Sequence, residues 1–350
     1  MKGTKSKTAY KPYAQLGKYK GLDIIELSAC GYSAMIAPSL GGNVLRLRND
    51  EQGVEIFRFD ADKSAEEIAD AIEIHGLPTM YLPNRLDGGL LKTSDGEYHL
   101  PVNEPEPYRN CLHGFLHRRS YKVDRLHCDR EKASAEISFE YTEEDEFFKY
   151  LPLSFTAQLC FTLSETGFDY KFTITNNSEK QLPVSVATHT TINAPFADGG
   201  RQEDIRLCAP IGKRCVLNER CLPSEDLAEL TPWDKEYASG EKCPVLQVIN
   251  NDMYFAGCME DENGTSFHGL CAVDTASGKT VYYETSEEYG FWIFWNEWGF
   301  KGYFCPEPMT AMINAPNLSL PAELSGYREL APEESFTCTQ HIRVGKAPRR

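Results

Sequence analysis

The stretch SFTAQLCFTLSETGFDYKFTITNN, from Ser154 to Asn177, decides the architecture. Its two runs, SFTAQLCFTL and FDYKFTIT, are rich in β-branched and aromatic residues and alternate apolar with polar side chains. Alternation of period two puts one face of a strand into a core and the other toward water. Asn176-Asn177 then marks a turn. The same character recurs in DIIELSA (from Asp23), YSAMIAP (from Tyr32) and AEISFEYT (from Ala135). It continues in TVYYETS (from Thr280), FWIFW (Phe291 to Trp295) and SFTCTQHIRV (from Ser335). Gly41-Gly42, Asp87-Gly88, Asn263-Gly264 and Ser277-Gly278 punctuate them. Many short strands over the whole length predict an all-β (mainly) chain, one large antiparallel β-sandwich rather than βαβ units.

Two local features stand out from this pattern. SAEEIADAIEI, Ser64 to Ile74, begins with a capping residue and early glutamates, which predicts one peripheral helix. TSDGEYHLPVN, Thr93 to Asn103, predicts a hairpin turning at Asp95-Gly96. There is no internal repeat or linker. The expectation is one domain over residues 1–350, with 1–20 an N-terminal extension and 346–350 a flexible tail.

Composition narrows the function classes. The net charge of −16 disfavours nucleic acid or an anionic membrane surface as partner. MKGTKSKTAYKPYAQLGKYK at the start is polar and lysine-rich, unlike a secretory signal. No run approaches the roughly 20 apolar residues of a membrane span. A cytoplasmic location is expected, where thiols stay reduced. The 12 cysteines are scattered singly without a C-x-x-C, so neither a zinc ribbon nor a redox pair is expected.

Three polar clusters interrupt the strands. They are NRLDGG (Asn84 to Gly89) with NCLHG (Asn110 to Gly114), ATHTTINAPF (Ala187 to Phe196), and FCPEPMTAMINAPN (Phe304 to Asn317). Glu307 stands between Pro306 and Pro308, which predicts a stiff loop rather than a central strand. A carboxylate held and partly desolvated there would have a raised pKa, as a general base requires. His189 ends a strand-like run and suits proton transfer near neutral pH. Read singly, each residue is better taken as an ordinary structural or surface side chain. His113 and His117 have i, i+4 spacing but lack the glutamate of H-E-x-x-H, so no metal is expected.

Taken together and in order, the clusters resemble the aldose 1-epimerase (galactose mutarotase) family from about Gly41 to about Asn317. N-R-x-x-x-G, D-G-x-Y-x-L-P-x-N and N-x-L-H-G look like its N-terminal signature, the T-H segment like its second histidine motif, and C-x-E-P ending in N-A-P-N like its glutamate motif. The resemblance implies a galactose mutarotase-like sandwich and acid–base anomerisation of a free aldose hexose. It assigns Glu307 as the base on the C1 hydroxyl and His189 as the acid on the ring oxygen. His113, Arg85 and Asn84 would bind the sugar, and Asp252 in INNDMYF resembles the family's sugar-binding aspartate. No cofactor is implied, the partner is a small sugar, and the chain would be a monomer or homodimer. Phe115 replaces the usual second glycine after the first histidine, and Thr190, Thr191 and Ile192 replace an aromatic pair.

Three alternatives remain open on the sequence. One is a non-catalytic, regulatory sugar-binding sandwich. Another is a hexose-6-phosphate 1-epimerase-like enzyme using Arg118 and Arg119. The third is a glycoside hydrolase or lyase using two among Glu284, Glu287, Glu288, Glu297 and Glu307, which would face each other across one bond.

Overall fold

Along the strand Phe155–Ser164, Phe155, Ala157, Leu159, Phe161 and Leu163 are buried and the alternate positions are more open. It pairs over its full length with Gly167–Asn176, whose Phe168, Tyr170, Phe172 and Ile174 point to the same core. This hairpin is the middle of a nine-stranded antiparallel sheet. Lys122–Cys128 and Ala133–Tyr141 flank it on one side, and Ser335–Lys346, Lys279–Thr285, Ser266–Asp274 and Ile205–Cys208 continue it on the other, with Cys258–Glu260 also pairing to Ser266–Asp274. The computed structural model describes residues 11–249 and 252–348.

A second, eight-stranded sheet covers it. Its order runs Pro223–Ala228, Arg214–Leu217, Met253–Phe255, Phe291–Trp295, Tyr303–Met309, Ala187–Thr188 and Thr79–Met80, with Ile192–Asn193 also pairing to Tyr303–Met309. Tyr283 of the first sheet meets Trp292 of the second edge to face at 5.6 Å, and both belong to one continuous apolar core. A five-stranded meander from Tyr13–Tyr19 to Val54–Glu55 packs on the outer end of the large sheet. The mainly-β antiparallel sandwich expected from the alternation is therefore the fold. Among the described residues no helix is long and apolar enough to cross a membrane.

Four local expectations need correction. Tyr13–Tyr19 is a strand paired to Leu22–Ala29, so the extension expected through residue 20 ends earlier. Positive φ at Lys20 and Gly21 makes the two-residue turn that a right-twisted hairpin favours, and lysines on an exposed edge strand masked the pattern. Residues 1–10 and 349–350 of the expected extension and tail lie outside the described residues. The hairpin near residue 95 turns one residue early, at Ser94-Asp95, with Thr93 facing Gly96. There the Asp95 carboxylate accepts from Gln181 N–H.

The helix spans only Ala65–Asp70, capped reciprocally by Ser64 and Glu67, and a separate turn Ile72–Ile74 follows. Ala71 breaks it at φ −119°, a bend that keeps Ile68 and Ile72 buried. Finally, Pro306-Glu307-Pro308 is not a loop but part of the buried strand Tyr303–Met309. Prolines two residues apart withhold N–H groups from one and the same edge. Strand pairing on the edge toward Ala187–Thr188 and Ile192–Asn193 is interrupted between Phe304 and Met309, so one edge of a central strand tolerates them.

Candidate active site

The three polar clusters, far apart in sequence, are bonded to one another. Arg85–Asp87 pairs with Asn110–Leu112, and His113 N–H donates to Asn84 O at 2.8 Å. Asn314 N–H donates to Arg85 O, and the Asn314 side chain accepts from Asp87 N–H at 3.1 Å. Asn84, His113 and Asn314 all lie at positive φ, where the chain turns sharply enough to bring backbone groups together. Gly114 follows at φ 59°, and a Cβ there would sit 2.1 Å from Tyr81 O. His189 is set by its own N–H to Pro78 O at 3.0 Å, directly after the short strand Ala187–Thr188.

These contacts shape a cavity of about 580 Å³ into which Asn84, Arg85, His113, His189 and Glu307 all face. Glu307 projects from its strand opposite Ile293. Its Oε1 lies 3.3 Å from His189 Nε2, and the two residues are only 4% and 6% exposed. Burial pushes the Glu307 carboxyl up to about 8, with the Arg85 guanidinium pulling weakly the other way. Burial likewise pushes His189 down to about 4, partly offset by the Glu73 carboxylate. His113 stands edge-on to His189 with ring centroids 5.3 Å apart and is held well below the usual histidine range by burial. The Nδ1 atoms of both rings are buried without a hydrogen-bond partner among the described residues.

Each of these groups is desolvated in its charged form, so at neutral pH burial favours a protonated carboxyl beside neutral imidazoles. An acid and a base 3.3 Å apart, sharing one proton and open to a cavity, can move protons in both directions across a bound molecule. Arg85 is mostly committed elsewhere. Its Nε and Nη2 grip Glu104 at 2.9–3.1 Å, and Nη1 reaches the Asn84 side chain at 3.3 Å. The fork of donors is thus rigid, with Nη1 on the side of Asn84.

A profile of the Aldose 1-epimerase family matches residues 23–343. The chain belongs to that family. A galactose mutarotase-like protein from Clostridium acetobutylicum shares 31% identity, with a TM-score of 0.93 over 96% of this chain and 99% of the other. At 16% identity, two more share the fold. A putative aldose 1-epimerase from Escherichia coli K12 has a TM-score of 0.71 over 93% and 100% of the two chains. The galactose 1-epimerase from Lactobacillus acidophilus NCFM has 0.70 over 96% and 99%.

Where the sequence departs from the aldose 1-epimerase pattern, the structure shows what replaces it. Phe115 points away from the cavity and stacks on Phe147 at 4.3 Å in a buried aromatic cluster with Tyr81 and Tyr141. Thr190 and Thr191 are fully buried behind His189. The aromatic surface beside His189 comes instead from Trp295, edge-on at 5.7 Å.

Asp252 is not brought to the site. It does not line the cavity, and its Oδ2 pairs with Arg214 Nη1 at 2.7 Å. The D-x-x-F match was too short to fix which way the carboxylate faces. Arg119 is likewise held elsewhere, by Asp145. Sequence reasoning missed Glu73, Tyr108, Trp295 and Trp298, which line the cavity. Glu73 had a faint signal in the expected helix, but only the break at Ala71 shows where it ends up. Its carboxylate binds His117 Nε2 at 3.2 Å and Arg118 Nη2 at 2.6 Å. His113 and His117 therefore face different partners. Among the described residues no group of three or more His, Cys, Asp or Glu is placed to hold a metal ion.

Proposed function

We propose that this protein interconverts the α and β anomers of a free aldose hexose by opening and closing the sugar ring. The buried Glu307–His189 pair, 3.3 Å apart at the cavity wall, carries this reading. Glu307 accepts the C1 hydroxyl proton while the C1–O5 bond breaks, and His189 gives the ring oxygen its proton. The C1 carbonyl forms, rotation about C1–C2 exposes its other face, and closure reverses both transfers. The pair holds one proton between its two members, so moving it from carboxyl to imidazole leaves the net charge of the site unchanged. Sugar hydroxyls bonding to the carboxylate, together with Arg85, favour that shift. His113 and Asn84 bind hydroxyls near the reacting end.

The cavity favours an uncharged substrate over a sugar phosphate. Arg118 is the one arginine of the expected phosphate pair that faces it, and its charge is already matched by Glu73. A hydrolase is disfavoured because Glu307 faces a histidine, Glu284 lies on the large sheet bonded to Arg343, and Glu297, which also lines the cavity, is held by Tyr303 OH at 2.8 Å. Polarimetry on freshly dissolved α-glucose and α-galactose tests the proposal. The protein should accelerate the approach to equilibrium over buffer, and no acceleration with either would overturn it. Saturable calorimetric binding without anomer exchange would assign a sugar-binding role instead.

A further inference from the structure

We infer that Cys208 and Cys271 are a redox-sensitive pair, which a small-molecule disulfide converts to a reversible cross-strand disulfide at the edge of the large sheet. The pair stands apart from the Glu307–His189 cavity and does not depend on the anomerisation reading.

Register is the first observation. Cys208 ends the edge strand Ile205–Cys208 and lies directly opposite Cys271 of Ser266–Asp274. Among the described strands no other register sets cysteine against cysteine. Leu207 N–H donates to Lys242 O and Ala209 N–H to Tyr237 O, both on the side away from Ser266–Asp274. Cys208, between them, therefore turns its N–H and C=O toward Cys271. Such a hydrogen-bonded antiparallel pair has its Cα atoms about 5.5 Å apart. That spacing lies within the roughly 4.4–6.8 Å that a disulfide spans. Directly opposed residues also project from the same face of a sheet, which brings the two sulfurs together.

The second observation is a division between an outer and an inner thiol. Cys271 is buried, with Tyr282 on its other flank and the Arg343 guanidinium 4.1 Å over that ring. Cys208 is half-buried. The helix Pro232–Ser239 ends beside it at Gly240, where an added Cβ would touch the Cys208 Sγ at 3.5 Å. Glycine there puts no side chain over the outer sulfur, so a small oxidant reaches Cys208 first. The Cys271 thiol is held well above its ordinary range, first by its hydrogen bond to Cys208 and then by burial. The proton of the pair thus rests on the inner sulfur, and the outer one is the nucleophile.

The third observation is that closure needs movement. Opposed Cβ atoms in a sheet stand about 4.5–5.5 Å apart, against roughly 3.5–4.5 Å in a disulfide. The strand Ile205–Cys208 is four residues long, and an isolated bridge from Leu207 to Lys242 holds its outer side. It can shift inward, and a bond closed under such strain is readily reduced again.

The chemistry is thiol–disulfide exchange. The Cys208 thiolate attacks the small disulfide, expels one thiolate and forms a mixed disulfide. Cys271 then loses its proton and attacks the Cys208 sulfur, expelling the second thiolate. The two protein protons end on the two released thiols, so both cysteines are oxidised and the small disulfide is reduced.

Native protein equilibrated with oxidised and reduced glutathione, then alkylated and mapped by peptide mass spectrometry, tests the pair. The wild type should give a peptide linking Cys208 to Cys271, which disappears in excess reduced glutathione. Oxidation should raise the thermal midpoint by about 2–6 °C. Cys271→Ser should retain one glutathione on Cys208, and Cys208→Ser should give neither the link nor the thermal shift. The wild-type map stands by itself should either variant fail to fold. The proposal is overturned by absence of the link at every glutathione ratio, by a link that forms only in denaturant, or by a link that leaves the thermal midpoint unchanged. Glutathione carried by Cys271 in Cys208→Ser under native conditions would overturn the order of attack and with it the outer-thiol argument.

Discussion

The segment from Ala187 to Ile192 carries two buried polar regions that differ in one respect. Behind it, Thr188, Thr190, Tyr283 and Gln340 form a closed network with distances of 2.7–3.1 Å. Each hydroxyl and the amide has partners within the protein. On the cavity side, one residue along, His189 meets Glu307 at 3.3 Å with Nδ1 unpartnered, and both groups are displaced from their ordinary pKa ranges. Satisfied buried polar groups fix a structure, whereas unsatisfied ones hold free energy available to a ligand. The alternation of side chains along this one segment thus separates a rigid support from a reactive surface.

The comparison breaks first at Glu307. Glu307→Gln keeps the shape but removes the base, and anomer exchange by NMR should fall by about 10²–10⁴-fold with circular dichroism unchanged. A variant retaining full rate would remove Glu307 from the chemistry.

The supporting side should answer in the opposite sense. Tyr283→Phe leaves Thr188, Thr190 and Gln340 short of a partner, and denaturant unfolding should show a loss of about 1–3 kcal/mol. The exchange rate of the folded variant should stay near that of wild type. A large rate loss without loss of stability would move the network into the mechanism.

Titration sharpens the contrast further. With Glu307 raised from 4.5 to about 8, the folded chain keeps a proton between those values that the unfolded chain has released, so stability falls as pH rises. With His189 lowered from 6.5 to about 4, the unfolded chain holds the extra proton, and stability rises over that interval. The two slopes oppose each other between pH 4.5 and 6.5. Above that only the Glu307 slope remains, up to about 1.4 kcal/mol per pH unit. Thermal unfolding at pH 6.5 and 8 should therefore show Glu307→Gln gaining on wild type as pH rises. Parallel curves would mean that the carboxyl is not desolvated.

The smallest effect is expected at Asp252. Its partner is Arg214 rather than the cavity, so Asp252→Asn should change KM for hexose by no more than about twofold and stability by about 0–1 kcal/mol. A KM raised tenfold or more would restore the residue to the sugar.

Much of this molecule was legible in the linear chain. Period-two alternation from Phe155 to Ile174 determines which side chains share a core, because neighbouring side chains on a strand must point to opposite faces. The same character marks Ala133–Tyr141, Lys279–Thr285 and Ser335–Lys346 in the large sheet, but only Phe291–Trp295 in the second. The order of the motifs marks Asn84, Arg85, His113, His189 and Glu307 as a set. Local rules failed where a neighbour supplied the missing condition. Two prolines argue against a central strand, yet Tyr303–Met309 is one because strand pairing is interrupted along one edge. The helix expected to Ile74 stops at Asp70, and the bend turns Glu73 toward the cavity. Asp252 lies beside a strand of the right sheet but is claimed by Arg214. What only tertiary structure decided was the 3.3 Å approach of His189 to Glu307 and the burial that shifts both. Desolvation is a property of everything packed around a group, and residues 118 positions apart cannot show it until the fold closes over them.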